Sequence, residues 1–272
     1  MRSLGIGIIG AGRVGGALAS VLSHRGWRIV GVFDLDEARA REAARAISCG
    51  VFESAERLAD RSEILFLTVP DDALVGLCED LGDYGDFRAR FLFNTSGILP
   101  AKVMHLAGLD RSVYSIHPFG GIAGFREGEN PFSGLFFGCE GDEPSRELAA
   151  KIVSDLEGIS VEIDWSKKTA YHLAASLVAN HGFALFEVCT DLLRLSGIPA
   201  DSAAEMTVNI AKRAISNFEK LGFKDGLTGP VVRRDFTTIA QHIAIAGETG
   251  NLELYLAGLN KINRLLAEKK KD

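Results

Sequence analysis

Several polar residues stand at positions and spacings from which they could act on a small substrate. Lys168 and His172 fall four residues apart in a helical pattern that begins near Ser166, which sets them about 40° apart on one helix face. Asn180 lies two turns further on, about 80° from His172, and so flanks it. A lysine facing a cleft can bind a 2-oxo acid, or give a proton to an oxygen on which charge develops. The other reading is a solvated lysine with a partner on its own helix. His117 sits in Ser115-Ile116-His117-Pro118-Phe119-Gly120-Gly121, at the end of an expected strand, where an imidazole can move a proton near neutral pH or serve the fold alone. Ser96, in Asn94-Thr95-Ser96-Gly97, lacks the G-x-S-x-G elbow of a nucleophile, so it reads as a hydrogen-bond donor to a substrate carboxylate or as a helix cap. Arg233 offers a planar fork for a carboxylate, and Asp235 either joins it at the substrate or caps the helix that follows.

These side chains need a partner that does the redox chemistry, and the segment from Leu4 to Asp34 points to one. Gly10, Gly12 and Gly15 fit G-x-G-x-x-G directly after the apolar run Ile6 to Ile9; an amphipathic stretch to about Leu22 follows, and Ile29 to Phe33 ends at Asp34. That is the spacing of a dinucleotide-binding βαβ unit. Gly10 permits the tight turn, Gly12 lets the backbone approach a pyrophosphate, and Gly15 lets the helix pack on the strand, while Arg13 and Val14 between them begin the helix whose free N–H groups face the anion. Asp34, 19 residues after Gly15, is placed to accept hydrogen bonds from the adenosine ribose. A carboxylate there repels the extra phosphate of NADP, so NAD is favoured, while Arg39 and Arg41 keep NADP open. Thr68-Val69-Pro70-Asp71 ends a later strand beside the path of a dinucleotide; its backbone either touches the ligand or only turns a proline-ended strand into a helix.

The elements that must hold these residues alternate. Helices over 37–47, 55–60 and 73–81 separate strands near 49–52, 64–69 and 91–94; strands at 113–116, 135–138 and 161–163 follow, with a helix over 145–156. The pattern predicts a parallel, doubly wound sheet. From about residue 164 the pattern is helical throughout, over 166–195, 201–221, 236–248 and 252–267, with Gly197, Pro199, Gly222, Gly229 and Pro230 at the breaks. The expected division is a dinucleotide-binding domain over 1–163 and a helical substrate or dimerisation domain over 164–272, with the acid held between them.

Composition narrows the partners. A net charge of −6 without a basic stripe argues against nucleic acid, and Lys269-Lys270-Lys271 reads as a solvated tail. No apolar stretch approaches the roughly 20 residues of a bilayer span, which argues against a membrane partner. Met1 runs almost at once into the first strand, which leaves no room for a signal peptide. Cys49, Cys78, Cys139 and Cys189 are scattered without C-x-x-C spacing and read as reduced thiols of a cytoplasmic protein. The six histidines are dispersed, with no metal-ligand spacing.

In combination, the Gly10–Gly15 turn, Thr68 to Asp71, Thr95-Ser96-Gly97 and Ser115 to Pro118 resemble known proteins, as do the runs Lys168-x-x-Tyr171-His172-x-Ala174-Ala175 with Asn180 and Gly229-Pro230-x-x-Arg233-x-Asp235-x-x-Thr238-x-x-x-His242. These are the Rossmann-like proteins with a DUF2520-type C-terminal domain, relatives of the 6-phosphogluconate-dehydrogenase-like helical reductases. The resemblance covers nearly the whole chain. It implies an NAD(P)-dependent oxidoreductase, similar in some members to ketopantoate reductases, with a His-Pro turn like that of prephenate dehydrogenases. It also implies that Lys168 is the catalytic or substrate-orienting lysine, with Asn180 and His117 as polar partners, and that the helical domain forms a homodimer. Arg234 stands where that family usually has glycine. The other function class is a non-catalytic dinucleotide-binding or sensing protein.

Overall fold

A computed structural model describes residues 1–123 and 128–268; the lysines at 269–271 lie outside them. The apolar runs form a single eight-stranded sheet in the order β3-β2-β1-β4-β5-β6-β7-β8. The strands are β1 (Gly5–Ile9), β2 (Arg28–Phe33), β3 (Gly50–Val51), β4 (Ile64–Leu67), β5 (Phe91–Asn94), β6 (Ser112–Pro118), β7 (Phe136–Gly141) and β8 (Ile159–Glu162). Between them run α1 (Arg13–His24), α2 (Glu37–Ile47), α3 (Ala55–Ala59), α4 (Asp71–Tyr84), α5 (Val103–Leu106) and α6 (Glu143–Asp155). The central strands β1 and β4 are buried at every position, as strands covered on both faces must be. One face packs Leu18 and Leu22 of α1, Ala40 and Ala44 of α2, and Leu148 and Ile152 of α6; the other packs Leu58 of α3, Leu74 and Leu81 of α4, and Met104 of α5.

The order reverses between β1 and β4, the switch point where open α/β sheets take their ligands. One detail corrects the all-parallel expectation. β7 pairs antiparallel with β6, because 119–135 returns with no crossing helix among its described residues; the α6 crossover then sets β8 parallel to β7.

A 3₁₀ turn, Trp165–Lys167, leads into α7 (Lys168–Ala179), then α8 (His181–Leu195), α9 (Ala200–Gly226), α10 (Pro230–Arg233), α11 (Phe236–Glu248) and α12 (Leu252–Glu268). Secondary structure changes character near residue 164, whereas the packing boundary comes later. The chain forms two compact units, Met1–Ala179 and Asn180–Asp272, so α7 belongs to the unit of the sheet. The reason is chemical, since Lys168 and Tyr171 bond into β6 and β7. By length and composition 165–195 is long and apolar enough to cross a membrane, which corrects the expectation that no stretch approaches a span.

Within the second unit, α8 and α9 pack together, with the Thr190 and Thr207 hydroxyls 2.9 Å apart, and α9 breaks at Gly222, where φ is +69°. Arg234, which closes α10, has φ +56° and ψ +39°. This left-handed conformation strains an arginine and would suit a glycine.

Candidate functional site

The Gly10–Gly15 turn is built as the spacing requires. Gly10 has φ +93°, and a Cβ there would come within 2.6 Å of the Thr68 carbonyl oxygen. A Cβ at Gly15 would overlap the Gly10 carbonyl, whereas one at Gly12 would meet open space, so the backbone at Gly12 is bare toward the cleft. The Thr68 hydroxyl lies 2.6 Å from the Gly10 carbonyl oxygen, and thus the end of β4 holds the turn from below. Asp34, at the end of β2, accepts the Ala11 N–H at 2.7 Å through Oδ2 and the Asp36 N–H at 2.9 Å through Oδ1; Arg39 Nη1 stands 3.7 Å from Oδ2.

These residues line one wall of a cleft of about 1090 Å3. It begins at Gly10, Gly12, Arg13 and Val14, passes Asp34 and Arg39 on one side and Thr68, Val69, Pro70 and Asp71 on the other, and ends at Thr95, Ser96 and Gly97. Its volume is slightly above the usual range for ligand pockets, roughly 300–1,000 Å3. An acceptor for a ribose, a bare turn at a helix N-terminus for a pyrophosphate, and a polar far end fit a dinucleotide.

At the far end, Asn94-Thr95-Ser96-Gly97 leaves β5. The Ser96 hydroxyl accepts the Ile98 and Leu99 N–H groups at 3.1 and 2.8 Å, so it caps the turn and, among the described residues, donates to none. Gly97 is where two histidines arrive. A Cβ there would overlap the His172 ring and approach His117 Nε2 to 2.8 Å. His117 ends β6, and its ring stands 5.7 Å from that of His172, centre to centre, edge to face. His117 Nδ1 lies 3.1 Å from the Tyr171 hydroxyl, which accepts the Gly138 N–H at 3.1 Å and lies 3.2 Å from the His117 carbonyl oxygen. This network closes when the tyrosine donates to the carbonyl and Nδ1–H donates to the tyrosine, an assignment that leaves a lone pair on Nε2. Burial, then the charges of His172 and Lys168, push the His117 ring down to about 4, so it is neutral at neutral pH.

Lys168 sits beneath this surface with 1% of its side chain exposed. Its Nζ donates to the Leu99 carbonyl at 2.7 Å, Ser115 Oγ at 2.6 Å and Glu140 Oε1 at 2.9 Å. An ammonium has three hydrogens, and here all three are used. Burial lowers the Lys168 ammonium from its ordinary value, and the facing Glu140 carboxylate works against that shift. Asn94, Ser115 and Glu140 are neighbours in register across β5, β6 and β7, a buried polar row on one face of the sheet. Asn94 Oδ1 accepts the Ser96 N–H at 3.2 Å, whereas its amide nitrogen has no partner among the described residues.

The structure therefore brings Ser96, His117 and His172 to one place, with Lys168 behind them. Asn180, Arg233 and Asp235 belong to the second unit. Asn180 precedes α8, Arg233 closes α10, and Asp235 caps α11 by accepting from the Thr238 N–H at 3.1 Å and the Thr238 hydroxyl at 2.8 Å. Glu140 escaped the sequence reading altogether. Its signal was a lone carboxylate inside the strand Phe136-Phe137-Gly138-Cys139-Glu140, where burial demands a cation. Ser115 and Tyr171 stood in recognised motifs without a role.

The family model of a Rossmann-like domain matches residues 1–112, and that of a domain of unknown function, DUF2520, matches residues 135–261. No curated protein matches the sequence. Among solved structures, a Bacteroides fragilis protein provisionally described as an NADP oxidoreductase superposes with a TM-score of 0.79 at 21% identity, over 97% of this chain and 99% of the other. A Thermotoga maritima protein gives a TM-score of 0.75 at 23% identity, over 97% and 99%. The 1-pyrroline-5-carboxylate reductase of Streptococcus pyogenes gives 0.69 at 16% identity, over 98% and 100%. At these identities the likeness is one of fold.

Proposed function

From a chain that joins a Rossmann-like domain to a DUF2520 domain, we propose a nicotinamide-dinucleotide-dependent oxidoreductase acting on a small 2-oxo or 2-hydroxy acid. The observation that carries this reading is the continuous cleft from the glycine turn and Asp34 to Thr95–Gly97, with His117 and His172 set against Gly97. When bound, the dinucleotide supplies or accepts a hydride. The N–H groups at the start of α1, beside the bare Gly12, would hold its pyrophosphate, and Asp34 would accept from ribose hydroxyls. NAD is the favoured form, because the Asp34 carboxylate faces the cleft; Arg39, ion-paired to it, is the group that would meet the extra phosphate of NADP.

The chain's own proton chemistry centres on His117. With Nδ1 fixed by Tyr171, the neutral ring presents Nε2 as an acceptor for a substrate hydroxyl. As a 2-hydroxy acid is oxidised, its carbon gives up hydride and His117 Nε2 takes the hydroxyl proton; reduction of the 2-oxo acid reverses both transfers. Ser96 retains a hydroxyl hydrogen for the acid. Titrating NAD and NADP against a panel of 2-hydroxy acids, with the appearance of reduced-nicotinamide absorbance as the readout, tests the proposal. Turnover should be flat near neutral pH and fall as pH drops through about 4, where the ring protonates. His117→Gln should lower kcat/KM by roughly 100-fold or more and remove that acid limb. Binding of a dinucleotide with no turnover of any acid in the panel would favour a sensor instead.

The helical unit carries exposed Phe183, Phe186, Ile210, Phe218 and Phe223, which supports a homodimer through that unit. Sedimentation as a monomer would contradict it.

A further inference from the structure

We propose that Lys168 is a positioning residue and not the proton donor: with Glu140 it forms a buried clamp that sets the Ser96–Ala101 segment against β6 and β7. The clamp grips this segment by opposite charges at two nearby points. The Lys168 ammonium takes the Leu99 carbonyl at 2.7 Å, and Glu140 Oε1 takes the Ala101 N–H at 2.7 Å. The two charges meet each other at 2.9 Å, and Ser115 Oγ, at 2.6 Å, fills the last Nζ hydrogen bond. A lysine acting on substrate would have to give up one of these bonds in a site almost closed to water, leaving a buried acceptor unpaired. A clamp keeps all of them. Its consequence is geometric, since Ser96 and Gly97 line the cleft and Gly97 is the surface against which His117 and His172 stand.

The clamp also faces the histidine. Burial does most to disfavour protonation of His117, and the charges of His172 and then Lys168 on α7 add to it; Tyr171 on α7 and the Gly138 backbone on β7 contribute neutral contacts, and Gly97 contributes none. The catalytic meaning of the clamp rests on the oxidoreductase reading, but its existence does not, so the test is made on the free protein.

Amide hydrogen exchange and histidine-selective NMR titration are compared in wild type, Lys168→Arg, Lys168→Met and the double variant Lys168→Met/Glu140→Met. The double variant leaves no buried charge unpaired and so keeps the fold testable if the single one unfolds. Without the clamp, exchange at Ala101 should rise by roughly tenfold or more while Leu18 in α1 keeps its protection. In both methionine variants the His117 midpoint should move up from about 4, a shift that a merely structural role would not produce. Lys168→Arg should retain the low midpoint. Wild-type exchange at Ala101 together with an unmoved His117 midpoint in the double variant would overturn the clamp. Failure of the wild-type protein to bind NADH or NADPH would instead overturn the oxidoreductase reading and leave the exchange result standing.

Discussion

The two halves of the sheet build the cleft and the side-chain cluster behind its Gly97 end by different means. Around β1, α1 and β2, the surface is backbone: a turn with Gly10 at φ +93°, a bare Gly12, and one carboxylate, Asp34, that itself accepts from the turn at Ala11. Around β5, β6, β7 and α7, it is side chain: His117, His172 and Tyr171 above, Lys168, Glu140 and Ser115 below. The glycine turn of the first half suits any dinucleotide, because backbone N–H groups read a pyrophosphate and little else, and Asp34 is the group there that would tell NAD from NADP. The second half is where a substrate can be told from its analogues, because its polar groups are buried and each must be matched.

That contrast can be broken from either side. The largest effect is expected in the second half, where Lys168→Met strands the Glu140 carboxylate and should cost roughly 3–5 kcal/mol of stability by denaturant unfolding. The double variant with Glu140→Met should recover most of it. If the single variant is as stable as wild type, the second half is not organised by this pair.

A smaller effect belongs to the contact that ties the halves together. Asp155 on α6 accepts from Arg2, ahead of β1, at 2.7 Å, from Trp27 at 2.9 Å and from Lys151 at 2.6 Å. Burial alone would raise this carboxyl, but those hydrogen bonds outweigh it and hold it at about 2. A depressed carboxyl stabilises the fold fully above its unfolded value near 4 and loses that contribution as pH falls toward 2. Wild type should therefore lose about 2 kcal/mol from this group between pH 5 and 2, a loss that Asp155→Asn should not show. Equal acid sensitivity of the two proteins would exclude Asp155 as the tie.

The smallest effect lies in the first half. Asp34→Ser removes the carboxylate beside Arg39 and should move the ratio of NADPH to NADH affinity toward NADPH by roughly tenfold, about 1.4 kcal/mol. Stability near neutral pH should change little beside the Lys168→Met loss. An unchanged ratio would mean that Asp34 serves the turn, through Ala11, rather than the ribose.

The same contrast explains what the sequence disclosed. The dinucleotide half was legible because its parts lie within Leu4 to Asp34, and glycine spacing specifies backbone shape directly. Helix limits at 37–47 and 236–248 agree with the structure because Asp36 and Asp235 are side-chain caps. The second half was legible only in fragments. Spacing placed Lys168 and His172 on one helix face, yet it could not show that Lys168 ends on Glu140, 28 residues away on an antiparallel strand. Periodicity likewise found α7 and missed that its first turn packs with the sheet, because one long helical pattern hides a packing boundary at Ala179.

The central claim is that the cleft of the first half takes a nicotinamide dinucleotide. Calorimetric titration of NADH and NADPH into the wild-type protein and into Gly15→Val tests it most directly, because a side chain at residue 15 would collide with the Gly10 carbonyl and spoil the turn. The prediction is saturable binding to the wild type, tighter for NADH, and its loss in a variant whose circular dichroism shows it still folded. No binding of either dinucleotide to the folded wild-type protein, or equal binding by folded Gly15→Val, would contradict it.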